Sequence, residues 1–160
     1  MLMRSATAAD IPQMMALEAG APSAAHWTAE MYARIFSSEG PSRLALVVEE
    51  EHLIKGFLVA LCAGPEWELE NIVVSQERRR RSRGRQLVAE LAQRAQAAAA
   101  QAIFLEVRES NQAARELYRK AGFAEHGRRP RYYSDPSEDG ILLSRPLASS
   151  RTRQEVPDSR

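Results

Sequence analysis

Short apolar runs divide the chain into strand-length segments that are bounded by Gly, Pro or acidic residues. We predict strands over residues 2–6, 44–48, 53–63, 68–74, 102–107 and 140–147, with a further strand that begins at Phe123. An acidic link at residues 49–51 joins the second run to the third. These two runs are therefore expected to pair as an antiparallel hairpin.

Helix signals fill the intervals between these strands. The predicted helices follow Thr7 or Asp10 and end before residues 20–23, or cover residues 26–36, 83–99 and 112–121. Thr28 is the expected N-cap of the second helix, and Ser110 or Asn111 caps the fourth. Gly122 stands just after the fourth helix, where a residue with a left-handed backbone commonly ends it.

The helix over residues 83–99 connects the strands over residues 68–74 and 102–107. A connection of that length carries the chain back across the sheet, so these two strands are expected to be parallel. The predicted fold class is α/β, with a mixed central sheet that is antiparallel at both ends, parallel at its centre and flanked by helices. We expect one domain over residues 1–147 and a disordered tail over residues 148–160, which is polar and contains proline.

Composition places the chain among ordinary soluble globular domains. Its 160 residues are 44% apolar and 27% charged, and its formal net charge is only +1. This balance excludes a general polycation that coats nucleic acid. Positive charge is concentrated instead, since six of the eight residues from Arg78 to Arg85 are arginine. A local site for an anion fits that distribution.

The cysteine and histidine content indicates a reduced protein without a metal. Cys62 is the one cysteine, so it cannot form an internal disulfide and is expected to be a small buried residue. His26, His52 and His126 are far apart and match no metal-ligand spacing. The chain contains no stretch of 18 apolar residues, so no membrane span is predicted. The N-terminus lacks the apolar centre of a signal peptide. We expect a cytoplasmic protein with no membrane association.

The arginine-rich turn lies between a predicted strand and a predicted helix. Unpaired N–H groups and the helix dipole at such a turn attract anions, phosphates above all. Ser82 and Gly84 are small enough for the backbone to approach a pyrophosphate closely. The charge-assisted bonds of the site would come from arginine side chains, namely Arg79, Arg81, Arg83 and Arg85. The alternative is a solvated basic run or an RNA-contacting patch; the position between strand and helix favours the phosphate loop.

Two further residues have both a structural and a chemical interpretation. Glu106 lies within an apolar strand, where it is either an ordinary solvent-facing residue paired with Arg108 or a general base at the end of a parallel strand. Tyr118 lies in the following helix. It is either a packing residue with a satisfied hydroxyl or a general acid, since its reference pKa of about 10 suits protonation of a leaving thiolate.

Four segments together resemble the GNAT acetyltransferase superfamily. They are Glu70-Asn71-Ile72-Val73-Val74, the arginine turn, Leu105-Glu106-Val107-Arg108-Glu109-Ser110-Asn111, and Ala114-Arg115-Glu116-Leu117-Tyr118-Arg119-Lys120-Ala121-Gly122-Phe123. Within the superfamily they most resemble bacterial ribosomal-protein-alanine N-acetyltransferases of the RimI type. Trp27 after the first helix and the spacing Arg129-x-x-Tyr132-Tyr133 agree with this resemblance, which covers residues 1–147.

The resemblance implies the GNAT acyl-CoA N-acyltransferase fold and transfer of an acetyl group from acetyl-CoA to a protein N-terminal α-amine. The acceptor it implies is the N-terminal alanine of a small-subunit ribosomal protein. Glu106 matches the family's general base and Tyr118 its general acid. The implied cofactor contacts are the strand residues Ile72, Val73 and Val74, the pyrophosphate loop Arg80, Arg81, Ser82, Arg83, Gly84 and Arg85, and Asn111. Arg79 joins this set through the charge-assisted bonds expected above.

The chain departs from the family pattern at one position of the loop. The loop usually reads Gln/Arg-x-x-Gly-x-Gly/Ala, and Ser82 replaces its first glycine. If that position requires a positive φ, serine costs about 1 kcal/mol and weakens acetyl-CoA binding; if the position is helical, serine costs little.

Three aromatic residues are candidates for contact with the acceptor. Trp27, Tyr132 and Tyr133 are expected to line a groove for the acceptor peptide, although each of them also suits core or rim packing. Two alternatives stay open. One is a GNAT enzyme that acts on a small amine or a lysine side chain; the other is a non-enzymatic RNA- or ribosome-binding module that uses the arginine turn. Direct nucleic-acid binding is the less favoured.

Overall fold

A computed structural model describes residues 1–21, 24–77 and 82–148. The strands of this part of the chain are Leu2–Ser5 (β1), Arg43–Glu50 (β2), Leu53–Ala63 (β3), Glu66–Val74 (β4), Ala102–Arg108 (β5), Ala124–Tyr133 (β6) and Glu138–Pro146 (β7). The helices are Ile11–Ala19 (α1), Ala29–Ile35 (α2), Arg83–Ala97 (α3) and Gln112–Lys120 (α4), and a 3-10 turn at Ala8–Asp10 precedes α1.

The described strands form one mixed sheet in the order β1-β2-β3-β4-β5-β7-β6. The β4–β5 pair is parallel, and the other neighbouring pairs are antiparallel. This arrangement confirms the predicted fold class, in which the sheet is parallel at its centre and antiparallel at both ends. The crossover through α3 explains the parallel pair.

The predicted hairpin of β2 and β3 is confirmed, but its acidic link is shorter than predicted. Glu50 pairs with Leu53 across a two-residue turn. Glu51 and His52 form that turn with φ values of 50° and 65°. Two successive residues with positive φ match the twist of the flanking strands, which lets β2 continue through Glu50.

The predicted caps of α2 and α4 are confirmed. The Thr28 hydroxyl accepts from the Met31 N–H at 3.2 Å. The Asn111 side chain caps α4 in the same way, and Gly122 follows that helix with a φ of 90°. The predicted start of α2 at residue 26 is wrong, because His26 has a φ of 53° and cannot be part of a right-handed helix. The other predicted bounds agree with the structure within two residues.

Apolar side chains form a separate core on each face of the sheet. One core lies under α3, where Leu87, Val88 and Leu91 are fully buried. The other lies under α1 and α2 and includes Met14 and Tyr32. Successive strand residues point to opposite faces, so β2, β3 and β4 contribute to both cores.

Parts of the prediction lie outside the described residues. They are Arg78, Arg79, Arg80 and Arg81 of the arginine turn, and the predicted tail apart from Ala148. Among the helices that the structure describes, none is long and apolar enough to cross a membrane.

Candidate active site

A cleft of about 830 Å³ opens where β4 and β5 separate. The two strands pair only over residues 66–68 and 102–104. Beyond that point both strands line the cleft, β4 from Leu69 to Val74 and β5 from Glu106 to Arg108. The cleft therefore lies at the carboxyl ends of two parallel strands, the usual place for a ligand in an open α/β sheet.

A β-bulge in β4 accounts for this separation. Val59 of β3 pairs with Asn71, and the next residue, Ala60, pairs with Leu69. Glu70 is the extra residue between them, and a bulge of this kind bends its strand and increases the local twist. After the bulge, β4 keeps β3 as its partner on one edge, while its other edge faces the cleft without a β5 partner among the described residues. Peptide N–H and C=O groups on that edge are available to a ligand.

The predicted cofactor residues that the structure describes lie mainly in this cleft. Ile72, Val73 and Val74 form its β4 wall, while Gly84, Arg85 and Asn111 lie on the walls from α3 and α4. The Asn111 side chain also accepts from the Ala114 N–H at 3.2 Å, so its oxygen is engaged as a helix cap.

The backbone conformation at Ser82 is one that serine adopts without strain. Its φ and ψ are −92° and −20°, in the right-handed helical region. The position therefore needs no glycine, and the expected cost of a positive φ does not arise. Gly84 is different. A Cβ atom there would lie 3.3 Å from Cδ2 of Leu117, so glycine allows α3 to pack closely against α4.

Arg83 is engaged inside the protein. Its side chain is only 5% exposed and forms an ion pair with the Glu50 carboxylate at the end of β2. It also donates to the Ser75 hydroxyl at 3.3 Å. The Arg83 side chain is therefore engaged within the protein and is not among the residues that line the cleft.

Glu106 faces the cleft with a side chain that is 21% exposed. Its ion-pair partner is Arg129 of β6, at 3.1 Å between Oε1 and Nε. The alternative prediction, that Glu106 pairs with Arg108, is wrong. Arg108 pairs instead with Glu138, at 3.5 Å, and its guanidinium lies 4.4 Å from the ring centre of Tyr133. The β6–β7 hairpin thus supplies the partners of both side chains.

Tyr118 reaches the same cleft from α4 and is almost fully buried. Its ring packs against Phe123, with 5.7 Å between ring centres. Burial raises the pKa of Tyr118 above its ordinary value of 10, and nearby Tyr133 raises it further. The phenol is therefore neutral over a wide pH range and holds a proton that it can donate.

The aromatic residues predicted for the acceptor groove occupy different places. Tyr133 lines the cleft, and Tyr132 stands beside it at 5.0 Å between ring centres with half of its surface exposed. Trp27 packs edge-on against Tyr32, at 5.7 Å, and belongs to the margin of the α1–α2 core. The structure thus brings Tyr133 to the cleft and places Trp27 behind it.

Sequence reasoning missed the wall that follows α1. Ala21, Ala24, Ala25 and His26 line the cleft on that side. Alanines carry no chemical signature, so no motif marks these positions. Within the three described ranges, no three His, Cys, Asp or Glu side chains are grouped so that they could hold a metal ion.

Comparison with known proteins agrees with this architecture. Residues 11–123 match the Acetyltransferase (GNAT) family. The [ribosomal protein bS18]-alanine N-acetyltransferase of Salmonella typhimurium is 31% identical over 115 residues, which are 71% of this chain and 78% of that protein. An uncharacterized protein of Mycobacterium leprae is 42% identical over 80 residues, which are half of this chain but only 21% of that protein.

A solved structure extends the similarity to the whole sheet. The crystal structure of the ribosomal-protein-S18-alanine N-acetyltransferase from Escherichia coli superposes with a TM-score of 0.80 at 26% identity. The match covers 94% of this chain and 97% of that one. With a family match over more than two thirds of its length and a cleft between its two parallel strands, the chain belongs to the GNAT family of acetyltransferases.

Proposed function

We propose that this enzyme transfers the acetyl group of acetyl-CoA to the N-terminal α-amine of a protein, and that its acceptor is the N-terminal alanine of a small-subunit ribosomal protein. The observation that carries the proposal is the meeting of a carboxylate, Glu106, and a protonated phenol, Tyr118, in one cleft beside the open edge of β4. The names of the relatives from Salmonella and Escherichia support the choice of acceptor.

The walls of the cleft suit a CoA thioester. The open edge of β4 at Ile72, Val73 and Val74 offers peptide groups to the amides of the pantetheine arm. The first turn of α3, which includes Gly84 and Arg85, offers N–H groups and a helix dipole to the pyrophosphate. The volume of about 830 Å³ is within the ordinary range of sites for small molecules.

The proposed reaction needs three proton transfers. An α-ammonium group, with a reference pKa near 8, loses a proton to Glu106 directly or through water, and the free amine attacks the thioester carbon. The new C–N bond forms and the C–S bond breaks. Tyr118 gives its proton to the departing sulfur, and the attacking nitrogen loses its second proton, which restores the neutral phenol of Tyr118 directly or through water. A backbone N–H near Val74 stabilises the negative charge that develops on the carbonyl oxygen.

The test is turnover of acetyl-CoA, followed by release of free thiol. The acceptors are a short peptide beginning Ala-Arg, the same peptide with a blocked N-terminus, and a blocked peptide that contains lysine. We expect thiol release with the free α-amine alone. Release with the blocked lysine peptide would assign the enzyme to lysine side chains instead. Acetyl-CoA binding without release on any peptide would indicate a small-amine acceptor.

A further inference from the structure

A buried carboxylate ties the wall that follows α1 to strand β4. Glu18, in the last turn of α1, is only 3% exposed. Its Oε2 atom accepts from Nδ2 of Asn71 at 2.6 Å, and its Oε1 atom accepts from the Trp27 N–H at 2.7 Å. We propose that these bonds, called here the Glu18 latch, position the acceptor side of the cleft, which makes Glu18 and Asn71 positioning residues for acceptor binding.

The bonding of Glu18 is unusual for a buried charge. Among the described residues no cation is paired with it. Its oxygens accept from an amide and a backbone N–H, and the buried Tyr32 phenol of α2 also interacts with the carboxylate. Burying a carboxylate without an opposite charge is costly unless its oxygens accept strong hydrogen bonds. Both oxygens do so here, so the loss of either partner would leave an incompletely bonded charge in the interior.

One bond of the latch is made next to a residue with a strained backbone. His26 directly precedes Trp27 and has a φ of 53°, a conformation that is strained for a residue with a side chain. Ala24, Ala25 and His26 line the cleft, whereas the Trp27 ring packs behind it. The bond from the Trp27 N–H to Glu18 fixes one end of this short wall.

The segment lies on the same face of the sheet as Glu106. Asn71 bonds to α1, and Val73 belongs to the α1–α2 core, so alternate residues of β4 point to that face. On β5, Leu105 and Val107 belong to the core under α3, and Glu106 between them therefore points to the α1–α2 face. Gly84 and Asn111, the predicted cofactor residues, approach from α3 and α4 on the other side.

This placement predicts which of the two substrates binds more weakly when the Glu18 latch is broken. If the wall after α1 serves the acceptor, loosening it raises the KM for the acceptor peptide and leaves acetyl-CoA binding nearly unchanged. The inference rests on the proposed function for the identity of the acceptor. Its structural part, the protection of the Trp27 amide, does not depend on turnover.

The test compares four variants of the pair with a matched control. Glu18→Ala removes both bonds; we expect the KM for the Ala-Arg peptide to rise about tenfold, while the KM for acetyl-CoA changes less than about twofold. Glu18→Gln keeps an acceptor for the Trp27 N–H, and a turned Asn71 amide can bond to its other atom, so most of the effect should be reversed. The control is Glu30→Ala, because Glu30 lies on α2 in an exposed pair with Arg34.

Exchanging the carboxylate of Glu18 and the carboxamide of Asn71 tests the bond between the two side chains more directly than removing one of them. Asn71→Asp places a second carboxylate against Glu18, and we expect the largest rise in acceptor KM from it. Adding Glu18→Gln to that variant restores one carboxamide and one carboxylate with their roles reversed, so the double variant should approach the wild type. Hydrogen exchange at the Trp27 amide should accelerate in Glu18→Ala and Asn71→Asp and recover in the double variant.

Two outcomes would overturn the inference. One is a folded Glu18→Ala enzyme with the acceptor KM and Trp27 exchange rate of the wild type. The other is a loss of acetyl-CoA affinity as large as the loss of acceptor affinity, which would make the latch a general support of the fold. Failure of the proposed function appears separately, as a wild type that transfers acetyl groups to no peptide while its Trp27 amide stays protected.

Discussion

At the scale of single residues, Glu106 is the group whose proposed role is easiest to isolate. Glutamine has nearly the same shape and accepts no proton, so Glu106→Gln should lower kcat/KM for the acceptor peptide about 10²- to 10⁴-fold. Acetyl-CoA affinity should be unchanged, since the carboxylate lies on the opposite face of the sheet from α3 and α4. Steady-state kinetics and ligand titration measure both quantities. An undiminished kcat/KM would eliminate the base assignment.

Tyr118 is expected to act only as the sulfur leaves. Tyr118→Phe should therefore lower kcat with little change in the acceptor KM. Burial raises the pKa of Tyr118 above 10 in the folded enzyme, so the phenol loses its proton only above that pH. Activity of the wild type should accordingly show no loss from this group below pH 10. A basic limb near pH 9 that disappears in Tyr118→Phe would contradict this assignment.

Ser82 tests whether the departure from the family pattern weakens cofactor binding. Because its backbone is already right-handed, Ser82→Gly should change the Kd for acetyl-CoA less than about twofold. Gly84→Ala is the matched comparison, since the added Cβ atom would crowd Leu117 at 3.3 Å. Calorimetric titration of both variants measures the difference. A much tighter Ser82→Gly enzyme would show that the loop is strained by serine.

At the scale of elements, the Arg83–Glu50 pair joins the start of α3 to the end of β2. Arg83→Ala should lower the free energy of unfolding by about 3 kcal/mol, at the low end for a buried pair because Glu50 is partly exposed. Arg94→Ala is the control; its pair with Glu90 lies on the exposed side of α3 and is worth about 0.3–0.5 kcal/mol. Urea unfolding measures both. A stable Arg83→Ala enzyme with weak acetyl-CoA binding would make the side chain a ligand contact after all.

At the scale of the whole molecule, the cleft lies between the two halves of the sheet, so a ligand bound there contacts both. Acetyl-CoA at a concentration 100 times its Kd should stabilise the folded state by about 2.7 kcal/mol. For a chain of this size that corresponds to a rise in Tm of roughly 5–10 °C. Thermal unfolding with and without acetyl-CoA measures the rise. An unchanged Tm at saturating concentrations would contradict the proposed cofactor site.

Family membership also decides between two readings of the arginine turn. A non-enzymatic binding module was one interpretation of its six arginines, and the GNAT assignment replaces it with an acetyltransferase. The two arginines in the described part of the turn lie in different surroundings. Arg85 lines the cleft, whereas Arg83 is buried in an ion pair with Glu50. Arginines of one charged run can therefore have different structural roles, one at the cleft and one in a buried ion pair.

Much of the fold was predictable because the signals are local. The parallel β4–β5 pair follows from the length of the connection through α3, and the caps at Thr28 and Asn111 follow from side chains that bond to N–H groups three residues away. The arrangement of Glu106 and Tyr118 around one cleft was also expected, but from family resemblance. The prediction that a helix begins at His26 was wrong. The positive φ of that residue depends on the surroundings of the loop, which the local sequence does not show.

The sequence by itself determined the order of the elements, the mixed sheet and the residues near the carboxyl ends of the parallel strands. Only the tertiary structure decided the bulge at Glu70 that opens the cleft, the pairing of Glu106 with Arg129 and the Glu18 latch with Asn71. The physical reason is distance along the chain. Periodicity and caps act over a few residues, whereas Glu18 and Asn71 are 53 positions apart and meet only because α1 packs across β4.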